Sequence, residues 1–378
     1  RYGKTAATIA AIGSISSNIG WTGGLLVAFG VIFQSLTNIP LEIGILGGAL
    51  VVFIYTCVGG MWAVAMTDFV QIIIIVIGLL CLLVVVLIDV GGWANITPHL
   101  ADNSFSLMPE DGDAAVWLNY FRAWVIFGLA DVSAQTLMQR ASSARTEQVA
   151  QNSFYIAGVA HLIIGLIPVM LGIIASVTML GITSPETIIP ELALAHLHPV
   201  AIAIFVGALL AAIMSSADSA LLAAASVFSV NILPLFKNQI SDRERLLATR
   251  IAIPVLGTIA IYVAIRVQLV YELILDANSV ILVCVTVPFI LGIWWPKANR
   301  AAALSSMLGG FLVWLITVLI APDFPGDLLG LVAGLMVFLS VGIFTQQLDP
   351  PRPLRNGEGE EVEFGDRLGV LPLFRAAD

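Results

Sequence analysis

Ala212, Ser215, Ser216 and Ser219 recur at i, i+3, i+4 and i+7 in the stretch AAIMSSADSALLAAASVFSVNI, residues 211–232. That spacing places them on one face of a helix. The face offers hydroxyls and, beside its small residues, reachable backbone carbonyls. Neutral oxygens of this kind suit a hard, singly charged cation such as Na⁺. Asp218 lies in the same helix, where an acid is costly unless it meets water, an ion or a partner. With Ser219 it forms a candidate second ion position. Small-residue packing between membrane helices, with serines bonded to the preceding turn, would use the same residues. The stretch alone leaves both readings open.

A second group surrounds Asp131, in FGLADVSAQ (127–135). A glycine, an acid and small polar residues stand where lipid-facing leucines would be expected. Such a stretch is read as locally unwound or cavity-facing. Gln135 follows four residues later, on nearly the same helical face. An unpaired carboxylate at the bilayer centre costs at least about 2.5–3.5 kcal/mol, so something must offset it. Arg122 is nine residues away, about 13 Å along a helix, too far for a direct pair in one straight segment. Burial as the neutral acid is one alternative. The other is a water-filled pocket where the acid meets a cationic solute or an ion, with Trp21 as an aromatic wall.

The elements that must position these groups are membrane helices. The chain has 378 residues, 59% hydrophobic and 11% charged, with mean hydropathy +1.00. Ordinary soluble domains of this length are less apolar. We read an all-α integral membrane protein with ten spans. They cover about 6–33, 41–58, 72–89, 115–138, 152–180, 211–232 with its upstream apolar run, 248–265, 270–294, 301–320 and 328–344. A polar link, 59–71, joins the second and third. A short helix is expected within 185–196. Residues 1–346 form the membrane domain, and 347–378, rich in proline and glutamate, read as a disordered tail. The opening RYGK has no initiating Met, and the chain reads as truncated at its N-terminus.

Lys and Arg alternate between links. Arg1, Lys4, Arg140, Arg145, Lys237, Arg243, Arg245, Arg250, Lys297 and Arg300 mark one side, with the tail arginines. The intervening loops carry almost none, Arg266 excepted. The positive-inside rule makes the first side cytoplasmic, with both termini there. No basic stripe suggests nucleic acid. Cys57, Cys81 and Cys284 have no metal-like spacing, and His161, deep in a span, reads as a packed residue.

Three segments then line up: GGMWAVAMTDFVQ (59–71), QRASSAR (139–145) and AIMSSADSALLAAA (212–225). In this order, on a ten-span chain, they resemble the sodium:solute symporter family, nearest its high-affinity choline transporter branch. The resemblance covers about residues 1–295. It implies an inverted-repeat, LeuT-like transporter fold, with the first three of the family's usual thirteen spans missing. It also implies sodium-coupled symport of a small polar organic solute by alternating access across the cell membrane. Ala212, Ser215 and Ser216 match half of a sodium site, whose other ligands lie in a broken helix absent here. Thr67 and Asp68 match a pair on the sodium exit route, although Asp68 could instead cap the third span. Trp21 matches one aromatic residue of a cation cage. A second cage tryptophan is Ala134 here, which sets choline itself apart. Gln135 keeps a polar position of the family, while Asp131 departs from it. Two other classes make demands of their own. A membrane sensor would need a signalling domain beyond the short tail. An intramembrane enzyme would need paired acids or a metal cluster at helical spacing, and the spans hold no HExxH-like or GxSxG-like motif.

Overall fold

A chain this apolar must satisfy its backbone within each segment, and helices do so. The computed structural model describes residues 1–109, 112–179, 185–237, 239–355 and 360–361. Among them are thirteen α-helices: α1 (Lys4–Thr37), α2 (Leu41–Asp89), α3 (Trp93–Ile96), α4 (Ala114–Val125), α5 (Gln135–Ser143), α6 (Glu147–Thr178), α7 (Ile188–His196), α8 (Pro199–Val227), α9 (Asp242–Val267), α10 (Val270–Ile281), α11 (Val287–Trp294), α12 (Arg300–Ile320) and α13 (Gly326–Phe344). Eight segments of the described residues are long and apolar enough to cross a membrane. The other two expected spans take different forms. Leu41–Ile54 is a shorter apolar helix, and 115–138 is interrupted at its centre.

Helix α2 corrects one expectation. The link expected at 59–71 is helical, and the helix runs through 49 residues. Straight, it would be about 73 Å long at roughly 1.5 Å per residue. Yet both ends lie on one face of the molecule. Glu42 accepts from Gln268 Nε2 (3.2 Å), Glu186 accepts from Val270 N–H (2.8 Å), and Asp89 contacts His196 (3.0 Å). The backbone therefore folds back between two arms. The first packs Ile45 and Ala49 against Leu26 and Val27 of α1 and Ala260 and Ala264 of α9. The second packs Ile75, Leu79, Leu82 and Val86 against Ile167 and Leu171 of α6 and Phe205 of α8. Asp68 sits inside the helix, so it is not an N-cap.

The other ends follow local chemistry. Asn38 closes α1 in the left-handed conformation (φ 55°), its N–H bonded to Gln34 O. Asp113 caps α4 through Ala115 and Val116 N–H. Ser241 and Glu244 form a capping box at the start of α9. The serine-rich helix α8 lies at the centre, its Ala217, Leu221, Ala224 and Ala225 buried with Val52, Val64, Ala252 and Leu256. The links near 1, 296 and 346 meet on one face: Arg1 donates to Pro296 O (2.9 Å), Arg300 to Thr5 (2.9 Å), and Gln346 to Lys297 O (2.8 Å). His161 is exposed on α6, so the packed role expected for it does not hold. Most of the expected tail lies outside the described residues.

Candidate functional site

The interruption falls where the sequence placed it. After α4 comes a π-helical turn, Ile126–Ala130, then a 3₁₀ turn, Asp131–Ser133. Ala134 is extended (φ −66°, ψ 130°), and α5 starts at Gln135. The broken segment is braced from one side. Ser133 Oγ lies 2.9 Å from Thr286 Oγ1, in a second π-helical turn, Leu282–Thr286, between α10 and α11. Both residues are buried. Two departures from α-geometry thus face one another, and such turns are frequent at functional sites.

Close packing of α1 on α10 sets another wall. A Cβ at Gly20 would come within 2.9 Å of the Ala277 Cβ, so glycine permits this approach. The next residues in each helix are then in reach: Trp21 Nε1–H donates to Asn278 Oδ1 at 2.7 Å.

These walls enclose a cavity of about 210 Å³. Trp21, Asp131, Gln135, Ser216 and Ser219 all line it, as do Asn278 and Arg140. Of the residues singled out for solute binding, all three therefore meet in one space. Among the described residues Trp21 pairs with no other ring. Ala134 also lines the cavity, so the position that carries a tryptophan in the resemblance leaves space here. Arg122 does not serve Asp131. It reaches Asp327 of α13 instead, at 2.7 Å.

The serine face is divided. Ser216 is exposed to the polar cavity, whereas Ala212 lines a separate apolar cavity of about 400 Å³ with Leu79, Pro168, Ile189 and Leu209. Ser215 lies between, its Oγ donating to Ala212 O at 3.0 Å. Ser219 likewise donates to Ser215 O at 2.8 Å. The back-bonding of the packing reading is thus present at Ser215 and Ser219. Ser216 makes no side-chain hydrogen bond among the described residues. The Ala212 carbonyl and the Ser215 hydroxyl, 3.0 Å apart, are still a pair of hard oxygen donors, the first one turn before Ser216 and the second adjacent to it in sequence.

Below the cavity, Arg140 joins the remaining candidates. Its Nη2 donates to Asp68 Oδ2 (2.9 Å) and to Ser219 Oγ (2.8 Å). Ser219 Oγ lies 3.1 Å from Asp218 Oδ1, and Asp218 is fully buried. Asp68, Arg140, Ser219 and Asp218 form one connected polar chain. The other oxygen of Asp68, Oδ1, is buried with no hydrogen-bond partner among the described residues. Among the described residues no three His, Cys, Asp or Glu side chains gather as a metal cluster.

Sequence reasoning missed Asn278 and the part played by Arg140. The signal for Asn278 was present. DANS, 276–279, sets three polar residues inside an otherwise apolar span.

Comparison with known proteins gives the family and the fold. The model of the sodium:solute symporter family matches residues 1–310. The high-affinity choline transporter 1 of Caenorhabditis elegans is 28% identical over 337 residues, 84% of this chain and 57% of that protein. The osmoregulated proline transporter OpuE of Bacillus subtilis is 26% identical over 351 residues, 84% of this chain and 67% of that protein. The chain thus spans a little over half the length of the choline transporter. A solved structure of a Na⁺-coupled sialic acid symporter, substrate-bound and outward-open, superposes with a TM-score of 0.72 at 20% identity. It covers 96% of this chain and 77% of that one. The architecture is that LeuT-like fold, in a multi-pass membrane protein. With the family matched over most of its length, this chain belongs to the sodium:solute symporter family.

Proposed function

We propose that the protein is a sodium-coupled symporter of a small organic cation or zwitterion. One observation carries this reading: Trp21, Asp131 and Gln135 share a cavity with Ser216 of the serine-rich helix. Asp131 supplies negative charge and Trp21 a free aromatic face, the two features that favour a cationic group. Among the described residues Trp21 alone gives the cavity an aromatic wall, and Ala134 widens the space beside it. This favours a solute bulkier or more polar than choline.

Sodium is cargo and coupling ion. The Ala212 carbonyl and the Ser215 and Ser216 hydroxyls supply three neutral oxygens to it. A hard cation takes more oxygen ligands than three, so solute, water or another segment completes the shell. Asp68 takes the ion on its way out, and Asp218 with Ser219 marks a second ion position. The basic links lie on the cytoplasmic side. Coupling follows from binding: an ion on α8 stabilises the arrangement that the solute then finds formed.

The test is accumulation of labelled choline or proline by the full-length protein in proteoliposomes. An inward sodium gradient should drive uptake above equilibrium, and an equal potassium gradient should not. Uptake of either probe that ignores sodium would overturn the coupling.

A further inference from the structure

Asn278 is 3% exposed and lines the cavity, yet half of its side chain has nothing to bond. Its Oδ1 accepts from Trp21 Nε1–H at 2.7 Å. Its Nδ2 is buried and has no hydrogen-bond partner among the described residues. The Trp21 bond fixes which end of the amide is which. An indole nitrogen can only donate. Turning the amide over would set one donor against another, so the orientation is imposed by chemistry. Two N–H donors are therefore held fixed beside the cavity that Asn278 lines, in a side chain that cannot rotate without losing its own bond. A buried donor left without an acceptor is costly. A molecule bound in the cavity beside Asn278 would supply one.

We infer that Asn278 selects the solute by donating a hydrogen bond to an oxygen that the solute carries. This rests on the solute site proposed above and narrows it. Asp131 and Trp21 take the positive end, and Asn278 takes a hydroxyl, carbonyl or carboxylate oxygen. A bare alkylammonium satisfies the first pair and leaves the second unpaired. Sites built to bond a solute oxygen reject the analogue that lacks it, for this reason. Gly20 belongs to the same device, because the approach of α1 to α10 at Ala277 brings Trp21 to Asn278.

Paired probes test it, with equilibrium binding to the purified full-length protein measured by calorimetry in sodium buffer. Choline is compared with ethyltrimethylammonium, which lacks only the hydroxyl, and proline with pyrrolidine, which lacks the carboxylate. In the pair that binds, the oxygen-bearing member should bind at least about tenfold tighter. Asn278→Asp keeps an acceptor for Trp21 and removes both donors, so this ratio should fall to about one or invert. Equal wild-type affinities within a pair overturn the inference while leaving the cation site standing. A wild-type ratio that survives Asn278→Asp also overturns it, since another group then meets the oxygen. Binding of none of the four probes removes the solute site itself, and the selector with it. The wild-type ratio decides even where the variant fails to accumulate.

Discussion

Removing the charge of Arg122 should destabilise the protein more than removing that of Asp327, and removing both should cost no more than the worse of the two. Asp327 is fully buried. Its Oδ2 accepts from Arg122 Nε (2.8 Å) and from Ser279 Oγ (3.0 Å), and lies 2.7 Å from a second Arg122 nitrogen. Its Oδ1 accepts from Leu328 N–H (2.8 Å). Arg122→Met leaves this carboxylate buried with one hydroxyl and one amide. Breaking a buried pair from one side costs about 3–5 kcal/mol. The Arg122 side chain is 26% exposed, so water replaces part of the loss and the lower end, about 3 kcal/mol, is expected. Asp327→Asn strands only the arginine, which reaches solvent, and should cost about 2 kcal/mol. Independent effects would sum to about 5 kcal/mol in the double variant. A true pair leaves it near 3, a coupling of about 2 kcal/mol. The assay is thermal unfolding of the four full-length proteins in detergent at one scan rate. Additive shifts, or a larger shift for Asp327→Asn, would refute the reasoning. The pair matters because α4 has no buried residue of its own, and this tie holds α4, the first arm of the broken segment.

Ser215→Ala and Ser216→Ala should each raise the sodium concentration for half-maximal uptake, by about tenfold if a ligand is lost. Ser226→Ala, whose hydroxyl among the described residues bonds only Ala223 O, should leave it unchanged; equal small effects at all three favour packing. Asp131→Asn should weaken affinity for a cationic probe by about tenfold or more with the protein still in the membrane. Unchanged half-saturation would remove Asp131 from the site. Gly330→Leu should destabilise the α12–α13 pair, because even a Cβ there would lie 2.7 Å from Gly310 O; unchanged melting would contradict that packing.

The broken segment was legible because Gly128, Asp131 and Ser133 replace the leucines a continuous span would carry. The α8 face was legible because helical spacing is local. The helical backbone through 59–71 was not. Two adjacent glycines read as a link, and tertiary packing of the flanking arms overrides their low propensity. Nor was the partner of Arg122. Asp327 follows Pro325 and Gly326 and reads as a loop acid, and only folding brings it across 205 positions. Asn278 was visible as a polar residue in an apolar span. Its orientation depends on Trp21, 257 residues away, which no local pattern records.

In the proposed mechanism, solute and sodium act on one another through a shared cavity wall. Binding energies must couple reciprocally if so. The decisive measurement is a pair of titrations on the full-length protein. Solute affinity, for whichever of choline or proline binds, is measured with and without sodium, and sodium affinity with and without that solute. Coupling through that wall requires that both affinities rise, and by the same factor. Solute affinity indifferent to sodium would contradict it.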